Sequence, residues 1–201
     1  VRNCVHLAMR GDIEEGQRSK YLTMTESEVE RLVDTVRQML DFYRPGSIER
    51  ELVDLHEVVD QVVLLLRPQM QGSQVEFISN VPAKLPRVYG VKNQLQQVIF
   101  NLILNGLDAV ENQPVKKIWL DVTPNYQEIA VTIEDSGLGI AAEVRDRLFE
   151  PFFSTKKSGT GLGLSISYSI IEEHGGRLGV VQGKHGQGAC FEVRLPLAKE
   201  G

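Results

Sequence analysis

Cysteine is nearly missing from this 201-residue sequence: Cys4 and Cys190 are the only two, at opposite ends and without the spacing of metal ligands. That excludes a metal site built on cysteine, and both read as reduced thiols of a cytosolic protein. Long apolar runs are missing as well. The longest, Val58 to Leu66, is interrupted by Asp60 and Gln61 and is far too short to cross a bilayer. No signal-peptide pattern stands at the start. There is no block of basic residues, and the formal net charge of -5 argues against a dedicated nucleic-acid surface. The expectation is therefore a cytoplasmic segment, whether or not a longer protein is tethered to a membrane, with no nucleic-acid partner and no membrane contact of its own.

What is present describes an ordinary globular chain. With 42% hydrophobic and 24% charged residues there is material for one sizeable core and a small extra element. From Leu22 the apolar positions step through Val29, Leu32, Val36, Met39 and Tyr43 in gaps of three and four, with Thr25 as the polar slot. This predicts a long helix from near Ile13, after a capping box at Asp12-Ile-Glu-Glu15, to just before Pro45-Gly46. Val1 to Arg10 also reads as helix, and a turn at Gly11-Asp12 makes the two a hairpin. One hairpin is a poor core, so its seam calls for a second copy: a homodimer forming a four-helix bundle.

After Pro45 helix and strand signals alternate. Helices are predicted over Leu55 to Arg67, capped by Asp54-Leu-His-Glu57, over Asn93 to Glu111 and over Leu162 to His174. Strands are predicted over Val75 to Asn80, Lys117 to Val122, Glu128 to Glu134, Leu178 to Gln182 and Ala189 to Leu195. Turns fall at Pro124-Asn125 and around Gly186. The class is α+β.

Three motifs follow one another in a fixed order: Asn101-Leu-Ile-Leu-Asn105 on a helix, Asp135-Ser-Gly137-Leu-Gly139-Ile140 after a strand, and Gly159-Thr160-Gly161-Leu162-Gly163-Leu164 opening another helix. Together they read as a pocket for ATP. Successive helical residues turn through about 100°, which places Gln97, Asn101, Asn105 and Asp108 in one stripe of a helix otherwise largely apolar. A solvated stripe is usually rich in lysine and glutamate; this one is mostly amides. Neutral amide oxygens suit a magnesium ion shared with phosphate, and Asn105 is the candidate metal ligand. An ionised Asp135 can only accept, which fits the exocyclic amine of adenine. Gly137 and Gly139 allow the backbone to turn and approach a planar base. Ser136 to Gly159, with Phe149-Glu-Pro-Phe-Phe-Ser-Thr-Lys156-Lys157, reads as a mobile lid with aromatic anchors. The glycines before the next helix, its free amides and the Lys156 ammonium suit phosphate oxygens.

No Lys-Ser or Lys-Thr follows the final glycine and no Rossmann unit precedes it, so this is neither a P-loop nor a dinucleotide fold. His174, at a helix C-terminus, reads as a dipole partner. His6, His56 and His185 lack carboxylate or cysteine constellations.

These residues resemble the catalytic ATP-binding domain of bacterial sensor histidine kinases of two-component systems, within the GHKL superfamily. The resemblance runs from Val53 to Pro196 through the N, G1, F and G2 boxes. Leu40-Asp-Phe-Tyr-Arg-Pro45 resembles the end of that family's dimerisation and phosphotransfer helices. The resemblance implies a partial helical hairpin over 1–45 and, over 46–201, a two-layer α/β sandwich with a mixed sheet, the Bergerat-type ATP-binding fold. It implies ATP and Mg2+ as ligands, Asn105 on the metal, Asp135 on adenine, and residues around Lys156 to Leu164 on the triphosphate. It also implies a response-regulator receiver domain as partner. Val1-Arg-Asn3 resembles the tail of a His-Glu-x-x-Asn-Pro motif, which implies an acceptor histidine just before residue 1 or, given the short first helix, farther upstream, so that the chain reads as a fragment. Cys4 then stands where proline is usual, Cys190 where threonine or serine is usual, and Val91 where aspartate is common.

The same nucleotide fold serves gyrase, MutL and Hsp90-type ATPases, which carry a water-activating glutamate one helical turn before the metal-binding asparagine. Here that position is Asn101. An amide cannot take a proton from water, so phosphoryl transfer is expected rather than hydrolysis. The alternatives are a nucleotide-binding pseudokinase or dimer scaffold and, further off, a GHKL ATPase.

Overall fold

The computed structural model describes residues 7, 9, 16–26, 49–156, 161–186 and 188–198. The chain divides into two compact units, Val1–Gly46 and Ser47–Gly201. In the first, residues 16–26 form a helix, α1, within the span expected to be helical. Thr23 and Thr25 turn their hydroxyls back onto the carbonyls of Ser19 (3.1 Å) and Tyr21 (2.8 Å), which satisfies them inside the helix. Leu22, the first seam position, is 52% exposed. The seam positions from Val29 to Tyr43, the capping box at Asp12, Cys4 and His6 lie outside the described residues.

The second unit runs β1 (Glu51–Val53), α2 (Leu55–Gly72), β2 (Glu76–Asn80), β3 (Val88–Gly90), α3 (Lys92–Val110), β4 (Lys117–Pro124), β5 (Glu128–Asp135), a 3-10 turn (Ala142–Arg147), α4 (Gly163–Glu173), β6 (Arg177–Val181) and β7 (Cys190–Pro196). Five strands form a mixed sheet in the order β2-β4-β5-β7-β6, in which only β2 and β4 run parallel. β1 and β3 form a separate antiparallel pair. Alternation along the strands explains the layering. Ile118, Leu120 and Val122 of β4 and Ile129, Val131 and Ile133 of β5 are buried, whereas Trp119, Asp121 and Thr132 between them are half-buried. α3 and α4 pack on the apolar face and α2 on α3, which gives the two-layer sandwich.

The structure differs from the sequence expectation at several ends. α2 continues five residues past Arg67, through Pro68. Pro68 is exposed, so the carbonyl that loses its helical donor can turn to water. Asn125 makes the β4–β5 turn: its Oδ1 accepts from the N–H groups of Gln127 (2.9 Å) and Glu128 (2.8 Å). β1, β3 and the 3-10 turn are additions. Among the described residues no helix is long and apolar enough to cross a membrane.

His174 is not the cationic dipole partner expected of it. Its Nε2 accepts from the Val91 N–H at 2.9 Å, which requires the neutral ring, and Nδ1 then donates to the Ile170 carbonyl at 2.7 Å. It thus serves the N-terminus of α3, where Val91 offers no side-chain cap. Burial pushes the His174 pKa below its ordinary value, the Arg50 charge adds to this, and the Ile170 hydrogen bond and Glu173 oppose it. A depressed histidine stabilises the fold above the unfolded value of 6.5, and that contribution is lost as pH falls through the lower folded value. The melting temperature is therefore expected to fall more steeply below about pH 6.5 in the wild type than in His174→Gln, whose amide oxygen can still accept from Val91. Identical slopes would contradict this role.

Candidate functional site

The helix α3 places its amide stripe along a cleft of about 230 Å³ that is also lined by residues 148 and 153–156 and by the start of α4. Asn101, 7% exposed, donates through Nδ2 to the Gly163 carbonyl and to Ser167 Oγ, both at 3.3 Å. Ser167 Oγ in turn donates to Gly163 O at 2.8 Å. Asn101 therefore clasps α3 to the first turn of α4 while lining the cleft. Ser167 has no local sequence signal for this role, because only the folded packing of α4 on α3 makes it a partner.

One helical turn on, Asn105 is half-buried and Asp108 more exposed. Lys156 bridges them, with Nζ 3.0 Å from Asn105 Oδ1 and 2.6 Å from Asp108 Oδ2. Partly exposed ion pairs of this kind stabilise little, so the ammonium can be displaced at small cost.

Asp135 closes β5 and is 5% exposed. Its Oδ1 accepts from the N–H groups of Gly137 (2.8 Å) and Ala189 (3.3 Å), while among the described residues no donor reaches Oδ2. Burial pushes the Asp135 pKa above the ordinary aspartate value, those two amides pull it down, and the neighbouring Glu134 charge adds to the rise. Asp135 sits against α3 beside the amide stripe: a Cβ on Gly106, the residue after Asn105, would lie 3.6 Å from Asp135 Cβ. Asp135, Gly137, Gly139 and Ile140 do not line the cleft itself.

The glycines divide by cause. A Cβ on Gly137 would lie 2.7 Å from Asp135 Oδ1 and 3.0 Å from the Ala109 carbonyl, so close packing on α3 demands glycine there. Gly139, with φ of 76°, occupies the left-handed region expected of a turn.

On the far wall Gly161 has φ of 68° and packs under Phe152, whose N–H donates to the Gly161 carbonyl at 3.0 Å. Leu162 precedes α4 without a side-chain cap, and Gly163 and Leu164 open the helix into the cleft. The first amides of such a helix have no intrahelical acceptor. Gly159 and Thr160 lie outside the described residues. Of the expected aromatic anchors, Phe149 meets Tyr168 of α4 with ring centroids 5.1 Å apart and Phe153 lies under Arg147 at 4.4 Å. Phe152 is 77% exposed.

Residues 90–199 match the family of histidine kinase-, DNA gyrase B- and HSP90-like ATPases. The signal transduction histidine-protein kinase AtoS of Escherichia coli (strain K12) is 32% identical over 182 residues, which are 90% of this chain and 30% of AtoS. Sporulation kinase E of Bacillus subtilis (strain 168) is 30% identical over 190 residues, 94% of this chain and 25% of that kinase. The chain thus spans less than a third of the length of either relative. Among solved structures, the catalytic domain of histidine kinase ThkA is 31% identical with a TM-score of 0.67, covering 75% of this chain and 97% of that one. ThkA in complex with the response regulator protein TrrA is 25% identical with a TM-score of 0.66, covering 98% of this chain and 58% of that one. The chain belongs to the family of histidine kinase-, DNA gyrase B- and HSP90-like ATPases, and within it carries a histidine kinase ATP-binding domain.

Proposed function

We propose that this chain is the catalytic core of a sensor histidine kinase. Residues 46–201 bind Mg-ATP, and the γ-phosphoryl passes to a histidine of a dimerisation and phosphotransfer hairpin of which 1–45 is a part. A response-regulator aspartate receives it next, as the complex of ThkA with its response regulator supports. The hairpin seam would make the protein a homodimer.

The observation that carries this reading is Asn101. It stands where a hydrolytic member of the superfamily has a glutamate, and its Nδ2 is already committed to Gly163 and Ser167. No base is offered to water at that point, whereas phosphoryl transfer needs chiefly positioning and charge neutralisation.

The donor set suits a hard cation. Asn105 Oδ1 and Asp108 Oδ2 already hold a positive charge, the Lys156 ammonium. Among the described residues no group of three or more His, Cys, Asp or Glu could hold a metal ion. A magnesium ion would thus rest on Asn105, water and the phosphates, its usual manner of binding. When bound it neutralises charge on the phosphate oxygens. Asp135 Oδ2 accepts from the adenine amine, with Gly137, Gly139 and Ile140 shaping that side. Leu162, Gly163 and Leu164 present the first amides of α4 to the phosphates, Gly159, Thr160 and Gly161 complete the cradle, and Lys156 turns from Asp108 to the triphosphate.

Labelling the full-length protein with γ-phosphate-labelled ATP is expected to give an acid-labile phosphohistidine. The chain alone is expected to release no phosphate above the rate of ATP in buffer. Sustained release by the chain without any acceptor would favour an ATPase instead.

A further inference from the structure

β5 carries Glu134 and Asp135 on opposite faces, and one loop, between β6 and β7, grips both. On the face away from the helices the Glu134 carboxylate is almost fully buried. It accepts from the N–H groups of Lys184 (2.8 Å) and His185 (2.7 Å) and lies 3.0 Å from His185 Nδ1. The His185 ring stacks flat on Trp119, with centroids 4.4 Å apart. Gly183 passes so near that a Cβ there would lie 2.4 Å from Glu134 Oε1. Burial acts to raise the Glu134 pKa, but the two loop amides and His185 outweigh it and hold the carboxyl below the ordinary glutamate value. The anion is well satisfied where it stands.

On the inner face the same loop returns at Gly188 and Ala189. A Cβ on Gly188 would lie 1.5 Å from the Asp135 carbonyl oxygen, so only glycine passes there. Ala189 N–H reaches Asp135 Oδ1, and Asp135 N–H donates to the Ala189 carbonyl at 3.0 Å. The loop amide that fixes the base-recognising carboxylate is thus tied, a few residues earlier, to the carboxylate of the adjacent residue.

We propose that Glu134 is a positioning residue for base recognition: by holding the loop at Lys184 and His185 it sets the Ala189 amide, which fixes Asp135 Oδ1 and leaves Oδ2 aimed at the exocyclic amine of adenine. The proposal rests on the reading of Asp135 as the adenine acceptor. A glutamate that only pinned a turn would affect stability, and both purine nucleotides alike. A positioning residue affects the discrimination between them.

The test is calorimetric titration with ATP and with ITP, which carries an oxygen in place of the amine, each with magnesium. Glu134→Ala is expected to reduce the ATP over ITP preference about tenfold, the size of a misplaced hydrogen bond to a charged group. It should also shift the emission of Trp119, the only tryptophan. Glu134→Gln keeps an acceptor for the loop amides and should restore most of the preference. An unchanged preference in Glu134→Ala overturns the proposal, whether or not both affinities fall. If that variant does not fold, Gly183→Ala presses a Cβ on Glu134 Oε1 and is read in the same way. Asp135→Asn separates the two levels. Loss of preference in Asp135→Asn alone defeats only the role of Glu134, whereas a preference intact in Asp135→Asn defeats the adenine reading and the proposal with it.

Discussion

Replacing Asn105 with alanine is expected to weaken ATP binding in the presence of magnesium by about 100-fold while changing binding in EDTA by less than about threefold. The asymmetry follows from the geometry. Asn105 Oδ1 faces the cleft and, among the described residues, accepts from only the displaceable Lys156 ammonium, so its removal deletes a cation ligand and little else there. The fold should tolerate the change, because Asn105 lies within α3 and alanine is the better helix former by some tenths of a kcal/mol. Calorimetry with and without magnesium, together with a thermal melt, separates the two effects. An unchanged magnesium-dependent affinity, or a loss that tracks a fallen melting temperature, would reject the metal-ligand role.

Asp135→Asn should separate stability from recognition in the opposite sense. The asparagine can keep Oδ1 as acceptor for the Gly137 and Ala189 amides, so the turn that ends β5 is preserved. In place of Oδ2 it presents an N–H donor to the adenine amine, itself a donor, and ATP affinity is expected to fall by about 100-fold or more. ITP, with an oxygen there, should lose far less. The stability effect has the other sign. The folded Asp135 pKa is raised by burial, so its contribution is fully present below the unfolded value of 3.8 and is lost as pH rises through the folded value. At neutral pH the buried anion therefore weakens the fold, and Asp135→Asn should melt at the same temperature or higher. Melts at pH 7 and titrations with both nucleotides check the two halves. A variant that bound ATP as well as the wild type would remove Asp135 from base recognition.

Where a local rule sufficed, the sequence led directly to the site. The stripe of Asn101, Asn105 and Asp108 follows from helical periodicity, and a carboxylate at the end of an alternating strand pointed to Asp135. β1 and β3 have three residues each, too few for a period of two to register. The helix expected over Leu55 to Arg67 runs on through Pro68, because the exposure that makes the missing donor tolerable is not visible in sequence. His174 was misread for a similar reason: a helix C-terminus favours a cation, but the acceptor role of Nε2 depends on Val91, brought there only by packing. The partners of Asn101 and Glu134 lie 62 and about 50 residues away along the chain. Their buried polar groups must be paired, but no local pattern names the partner.

The central claim is that a single bound nucleotide sets its adenine on Asp135, beside the cleft, and its phosphate-bound cation at Asn105, within it. Titration of the chain with ATP plus magnesium at neutral pH tests it most directly. A single saturating site per chain, tighter than about 1 mM and weakened when magnesium is chelated, is the predicted result. No heat with ATP and magnesium, or binding indifferent both to the cation and to the identity of the base, would contradict it.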